Sequence, residues 1–366
     1  MRGRSRVLVL TAVFVLFGSF GLIGLQMSAR RASTAAILLE IAVSGGFAVG
    51  YAGLFMAQRF RYVLALVVAQ FLVERAIGRY VGASSSLVGQ PETLQRQLVL
   101  LGSMSMLGIL VAYSLMINFL RVEGRKYVQA RTEIALASEI HSSLVPVCSR
   151  NHGRYEIYGA SLPSGAVGGD LVDVVEQLEG WIGYVADVSG HGVQSGVLMA
   201  MFKAALRGQI PRGGSLATML GEVHRTLFPL KLRNMFVTVG ALRAGADGRV
   251  HYASTGHPPI LHYQKANGAI REYAALDAPL GIMEEQEFSE SEIRCAPGDL
   301  LLVLTDGLTE VFDKKGNEMG MEVLKKKLQM NAELPLADLF GQLRKTATDF
   351  GTQADDQTVL LVRYKD

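Results

Sequence analysis

Four stretches of the chain set aspartates at the ends of apolar runs. "VGGDLVD" (167–173) carries Asp170 and Asp173 behind two glycines. "YVADVSGHG" (184–192) ends an alternating apolar run on Asp187, and "LLLVLTDGLTE" (300–310) ends another on Asp306. "QADDQTVLLV" (353–362) places Asp355 and Asp356 just before the last apolar run. If these runs are strands lying side by side, the carboxylates converge on one rim. Clustered carboxylates cannot all stay ionised without counter-charge. Mg2+ or Mn2+ supplies it through oxygen ligands in octahedral geometry while keeping several waters. Two such ions about 3.5–4 Å apart share a bridging water, lower its pKa and clamp a phosphoryl group for in-line attack. Glycines near Asp170, Asp187 and Asp306 let the main chain approach, so that a backbone carbonyl can ligate as well. A single aspartate at a strand end is more often a turn residue or a helix cap; the repetition favours metal.

Other chemistries fit less well. A serine-nucleophile elbow needs G-x-S-x-G, a spacing that "DVSGHG" around Ser189 does not have. A phosphate-binding G-x-x-x-x-G-K-[ST] loop and an HExxH zinc pair are both missing. The two cysteines, Cys148 and Cys295, are far apart and form no CxxC. That excludes a disulfide framework and a cysteine zinc site, and a reducing compartment is the simplest setting. His191 is a candidate proton donor to a leaving oxygen, although a role in loop structure ranks above it. His257 in "TGHPP" reads as a turn residue whose ring bonds to backbone. No arginine is assigned to the phosphate.

The elements that position these residues lie in the C-terminal part of the chain. From about Tyr155, short apolar segments such as "YEIYGASL", "WIGYVADV", "RVHYAST", "ILHYQ" and "TVLLVRY" alternate with glycine-bearing turns. Two helices are expected between the third and fourth strands, roughly 192–208 and 215–229. Two more, roughly 321–330 and 335–350, precede the last strand. Antiparallel strands with helices inserted in pairs point to α+β, two sheets face to face with helices outside.

The N-terminal third is of a different kind. The chain has 366 residues, 49% of them hydrophobic, and a mean hydropathy of +0.26. Residues 1–120 hold ten Arg, no Lys and three Glu, whereas the remainder holds 26 basic and 30 acidic side chains. The basic balance therefore belongs to the N-terminal third and does not indicate nucleic-acid binding. Val7–Leu25, Ala35–Met56 and Leu98–Leu120 are apolar runs long enough to cross ~30 Å of hydrocarbon. Tyr62–Val73 is shorter and crosses only by borrowing flanking residues. Glu40 reads as a carboxylate reaching to the nearby interface rather than as a sensor. Arginine-bearing ends at "MRGRSR", "QRFR" and "RVEGRKYVQAR" placed inside require four crossings, with both termini cytoplasmic. The expected organisation is a transmembrane region over 1–120, a helical linker over 121–149 and a catalytic domain over 150–366. In the linker, Tyr127, Ala130, Ile134, Ala137 and Leu144 fall near heptad positions, Ile140 and Leu144 are expected contacts, and Pro146 stops the helix. A homodimer through this helix is an expectation; the alternative is a helix packed on the domain that follows.

Six ordered segments now carry a resemblance: "VGGDLVDVV", "GYVADVSGHGVQSGVLMA", "MFVTVGAL", "YASTGHPPILH", "APGDLLLVLTDGLTE" and "ADDQTVLLV". In order and spacing they resemble the SpoIIE-like branch of the PPM serine/threonine phosphatases, over about residues 130–366. "ALASEIHSSLVPV" resembles the helix that leads into these domains. The resemblance implies an α-β-β-α sandwich, two Mn2+ or Mg2+ ions, and attack by metal-bound hydroxide without a phosphoenzyme. By motif, Asp187 would bridge both ions, Asp170 and the Val188 carbonyl would hold one, and Asp306 and Asp355 the other. Asp356 has no clear role, and Asp173 and His191 are secondary candidates. Gln357 replaces a usual apolar residue and Ala186 a common glycine; no metal position is lost. The implied substrate is phosphoserine or phosphothreonine on an anti-anti-sigma (STAS-type) regulator in bacterial partner switching. The enzyme would be anchored in the cell membrane with its catalytic domain in the cytoplasm. The rival readings are a non-catalytic membrane receptor for such a regulator and a phosphatase of a small phosphorylated metabolite.

Overall fold

The computed structural model describes residues 3–27, 33–84, 91–177, 180–190, 192–245 and 249–365. His191 lies outside them. The chain forms two units, Met1–Arg131 and Thr132–Asp366.

Unit one is helical: α1 (Gly3–Met27), α2 (Thr34–Met56), α3 (Val63–Ser84) and α4 (Pro91–Leu144), which continues past the unit boundary. Three segments are long and apolar enough to cross a membrane: Arg6–Ile23, Thr34–Met56 and Gln95–Arg121. The helix α3 starts on the short apolar run but continues through Glu74, Arg75 and Arg79, so it does not join them. Between α1 and α2 a Cβ on Gly21 would stand 2.7 Å from the Ser44 hydroxyl, and one on Gly45 would stand 2.7 Å from the Phe14 ring. Such small residues let helices approach where lipid removes the hydrophobic drive between them.

The end of α4 departs from the expected heptad. Pro146 disfavours a helical Val145, and the helix stops at Leu144. Ala137, Ser138 and Leu144 are half-buried, while His141, which sits one turn after them or before, is buried. Ile140 is 52% exposed, so its expected contact with the catalytic unit does not form. An exposed side chain changes stability little on substitution. Ile140→Asp in the full chain should therefore shift stability by no more than about 0.5 kcal/mol. Thermal unfolding in detergent checks this, and a loss well above that value would mean that a second copy covers Ile140.

Unit two is built on β1 (Cys148–His152), β2 (Tyr155–Leu162), β3 (Leu171–Gln177), β4 (Gly180–Val188), α5 (Val193–Gln209), α6 (Leu216–Leu227) and β5 (Val237–Ala244). There follow β6 (Arg249–Thr255), β7 (Ile260–Gln264), β8 (Ala269–Tyr273), β9 (Ser291–Arg294), β10 (Leu300–Leu304), α7 (Gly320–Asn331), α8 (Leu336–Phe350) and β11 (Gln357–Tyr364). One sheet has the order β1-β2-β11-β10-β7-β8 and the other β3-β4-β5-β6-β9. Every pairing between these strands is antiparallel.

The apolar pattern explains the layers. In β10, Leu301 and Val303 join the core between the sheets, which also holds the buried residues of α5 and α6. Leu300, Leu302 and Leu304 face the other way, against Leu324 and Leu328 of α7 and Leu339, Phe340 and Leu343 of α8. A strand covered on both faces has no place for a polar residue, hence "LLLVL". In α6, Leu216, Met219, Leu220, Val223 and Leu227 bury a stripe at helical spacing, and the Ser215 hydroxyl caps its start by accepting from the Thr218 N–H. The result is the expected α+β sandwich, with helices outside two packed sheets.

Candidate metal centre and active site

Each sheet brings two aspartates to the same end of the sandwich. Leu171 pairs with Ala186, so the start of β3 and the end of β4 carry Asp170 and Asp187 side by side. Leu304 pairs with Val359, which sets Asp306 beside the segment that carries Asp355 and Asp356. Hydroxyls join the two halves. Thr305 Oγ1 donates to Asp170 Oδ2 at 2.8 Å, and the Thr358 hydroxyl donates to the same oxygen. Both threonines come from the sheet that does not carry Asp170.

The glycines are explained by close approach. A Cβ on Gly307 would lie 2.1 Å from the Asp356 carbonyl oxygen. A Cβ on Gly168 would lie 2.3 Å from Asp356 Oδ2, and one on Gly169 2.8 Å from the Val188 carbonyl oxygen. The Asp356 carboxylate accepts from the Ser164 N–H at 2.7 Å, the Gly169 N–H at 2.8 Å and the Asp170 N–H at 3.3 Å. Its role, open in the sequence, is to hold the glycine loop in place. Gly307→Ala should accordingly force the backbone apart, cost roughly 3 kcal/mol and abolish activity. Denaturant unfolding and turnover measured together check this; an active variant of wild-type stability would contradict the contact.

The electrostatics are those of an anionic site. Burial raises the Asp187 carboxyl to about 7, with further pushes from Asp306, Asp355 and Asp356. Asp170 is driven well above the carboxylate range by burial and then by Asp187, although the Thr358 and Thr305 hydroxyls oppose this. Burial and Asp355 raise Asp306. Asp170 and Asp187, side by side at the ends of β3 and β4, therefore disfavour ionisation of both carboxyls together. Among the described residues no three His, Cys, Asp or Glu side chains close into an ion cage on their own. A Mg2+ or Mn2+ site does not need one: it takes one or two carboxylates and keeps its waters. The donors are all hard oxygens, and the carboxylates raise one another's pKa. These residues fit such ions and do not fit zinc.

Other candidates are placed elsewhere. Asp173 is not part of the rim. Burial would raise its pKa, but it lies low because Arg207 grips both oxygens at 2.7 Å, with Lys203 3.4 Å away and the Tyr184 hydroxyl donating at 2.8 Å. The Ser189 hydroxyl accepts from the Phe236 N–H, a structural bond. His257 bonds through Nδ1 to the Thr238 hydroxyl at 2.9 Å, rather than to the backbone of a turn alone. The sequence reading missed Thr305 and Thr358, although both stand beside the acidic motifs.

A half-open cavity of about 480 Å3 adjoins the rim, lined by Ile134, the 164–167 loop, Gly192, Val193 and Asp355 among others.

Two antiparallel sheets between helix pairs, with carboxylates at one end, define a PP2C-type phosphatase fold. Residues 179–365 match the family model described as Stage II sporulation protein E (SpoIIE). The chain belongs to the SpoIIE family of PP2C-type phosphatases, which are metal-dependent protein serine/threonine phosphatases. It is 23% identical over 241 residues to phosphoserine phosphatase RsbU of Bacillus subtilis, covering 65% of this chain and 71% of that protein. It is 26% identical over 189 residues to phosphoserine phosphatase RsbP of the same organism, covering 50% of this chain and 45% of RsbP. The SiaA-PP2C domain of Pseudomonas aeruginosa superposes with a TM-score of 0.57 at 21% identity, over 66% of this chain and 99% of that domain. The RsbU and RsbW domains of Rv1364c from Mycobacterium tuberculosis give 0.51 at 26% identity, over 61% of each chain.

Proposed function

We propose that the chain is a membrane-anchored phosphatase that removes phosphate from serine or threonine of a STAS-type regulator in a partner-switching pathway. The observation that carries the catalytic part is the convergence of Asp170 and Asp187 from one sheet with Asp306 and Asp355 from the other. Asp187 would face two Mn2+ or Mg2+ ions, with Asp170 and the Val188 carbonyl on one side and Asp306 and Asp355 on the other. When bound, such ions activate water and clamp the phosphoryl group. The protein residues orient that site: Thr305 and Thr358 fix the Asp170 oxygen, and Asp356 fixes the loop that carries it. For His191 a role in loop structure still ranks above proton donation to the leaving oxygen.

The half-open cavity supports a protein substrate over an enclosed metabolite. RsbU and RsbP, named phosphoserine phosphatases, support the phosphoserine assignment. The apolar helices support the membrane anchor. Purified full-length protein in detergent should hydrolyse p-nitrophenyl phosphate and a phosphoserine-bearing STAS protein only with Mn2+ or Mg2+ present. Binding of that protein without hydrolysis would leave a receptor. Reporter fusions at Arg6 and Asp366 should both give a cytoplasmic signal only if α3 crosses along with the three long apolar helices; an external N-terminus would mean that those three alone cross.

A further inference from the structure

An apolar groove begins where the metal rim ends. It is lined by Val193, Val197 and Met201 of α5 and by Leu230, Leu232 and Met235 of the segment between α6 and β5, with a volume of about 230 Å3. Val193, Val197, Leu230 and Leu232 are each more than half exposed. Single exposed apolar residues are ordinary on a protein surface, but a contiguous set marks a binding face. Leu198, Met199 and Phe202 already bury the inner side of α5 in the core. The fold therefore does not require the outer side of that helix to be apolar as well.

Two features join this groove to the catalytic site. Val193 lines both the groove and the cavity that Asp355 and Asp356 line. Beside Met235, Phe236 exchanges hydrogen bonds with Ser189, which follows closely on Asp187. The Ser189 N–H donates to the Phe236 carbonyl at 3.0 Å, and the Phe236 N–H donates to the Ser189 hydroxyl at 2.9 Å. Turns hold the other wall: the Leu230 and Lys231 N–H groups donate to the Leu227 carbonyl, and the Met235 N–H to the Leu232 carbonyl. Lys231 also lines the groove, but its ammonium lies over the Phe228 ring and donates to the Leu232 carbonyl. From Val193 to Met201 the helix carries the apolar track about 12 Å along its axis.

We infer that this groove is the docking surface for the protein substrate, and that it takes apolar side chains flanking the phosphoserine. This rests on the reading of the rim as the catalytic site. A partner seated in the groove lies across Val193 and so reaches the rim cavity; in an enzyme, the partner that spans both is the substrate. A small phosphorylated metabolite has nothing to fill an apolar track of that length. Apolar contacts remote from the reacting phosphate supply binding energy that a truncated substrate loses.

The test uses full-length protein in detergent with Mn2+. The probes are p-nitrophenyl phosphate and a pair of phosphoserine peptides, alike except for leucine or serine at positions on each side of the phosphoserine. Wild type should hydrolyse the leucine peptide with a kcat/KM about tenfold or more above that of the serine peptide, since burying one leucine side chain is worth about that much. Val197→Ser and Leu230→Ser each remove an apolar contact without adding charge near the rim. Each should lower the ratio of leucine-peptide to p-nitrophenyl phosphate kcat/KM by about the same factor, read in whichever variant keeps the wild-type melting temperature. Met330→Ser changes an exposed apolar residue of α7, in the other helical layer, and should leave that ratio unchanged. No peptide preference in wild type, an unchanged ratio in a folded groove variant, or an equal fall in Met330→Ser would overturn the inference. An unchanged ratio together with dissociation of the groove variants into smaller oligomers would give the groove to a second copy instead. Asp306→Asn is measured alongside. If it hydrolyses the probes as wild type does, or if wild type hydrolyses none of them, the reading of the rim falls and takes this inference with it. If Asp306→Asn is inactive and the groove variants match wild type, only the docking role falls.

Discussion

Asp187→Asn or Asp306→Asn should remove nearly all Mn2+-dependent turnover, by at least ~10²–10³-fold, as loss of one preorganised charge-stabilising group typically does. The protein should nevertheless fold. Asp187 is held at about 7 by burial and by the carboxylates of Asp306, Asp355 and Asp356. Its unfolded value lies near 3.8. A carboxyl raised in the native state contributes its full stability at low pH and loses it as pH rises through about 7. Without metal, the ionised Asp187 therefore costs the native state on the order of a few kcal/mol at pH 8. Asparagine removes that cost. Melting temperatures in EDTA should rise on Asp187→Asn at pH 8, and the gain should fade as pH falls towards 4. Wild-type turnover of either variant in saturating Mn2+ would refute the metal assignment.

Acid should destabilise the catalytic unit through His257, apart from any metal. Its ring is buried between Thr238 and the Leu304 backbone, and burial lowers its pKa from 6.5 to about 3. Gly240 leaves the space, since a Cβ there would stand 2.9 Å from the ring. The unfolded chain takes up a proton near pH 6.5 and the native chain does not. Stability is therefore complete above pH 6.5 and is lost as pH falls from there towards 3. The full loss is on the order of 3–5 kcal/mol. His257→Gln keeps a partner for Thr238 and removes the titration, so its denaturant midpoint should change less between pH 7 and pH 4.5 than that of wild type. An equal slope in the two proteins would mean that another group controls acid unfolding.

Much of this was legible in the sequence because the signals are local. The strands β6 and β7 occupy the segments "RVHYAST" and "ILHYQ", since alternation and glycine turns act over a few residues. The four helices of the catalytic unit fall within a residue or two of their expected bounds for the same reason. The acidic motifs could be read as a group because each one ends a strand. The short β1 was not legible: "CSRNH" has no apolar face, and it is a strand only because β2 offers it an edge.

What tertiary structure alone decided is the role of each polar residue. Asp170 and Asp173 lie in one motif three residues apart and read alike as sequence. Folded, Asp170 meets Asp187 and two threonines, while Asp173 is neutralised by Arg207, 34 residues away in the chain. Asp356 became a backbone anchor because its partners lie nearly 190 residues away. Ile140, an expected contact, is exposed while His141 beside it is buried, because the packing of the end of α4, not the heptad, chose the buried face. Apolar periodicity is written along the chain, where neighbours fix it. The charge that a carboxylate or an imidazole carries depends on burial and on groups brought close in space, and only the packed sheets set those.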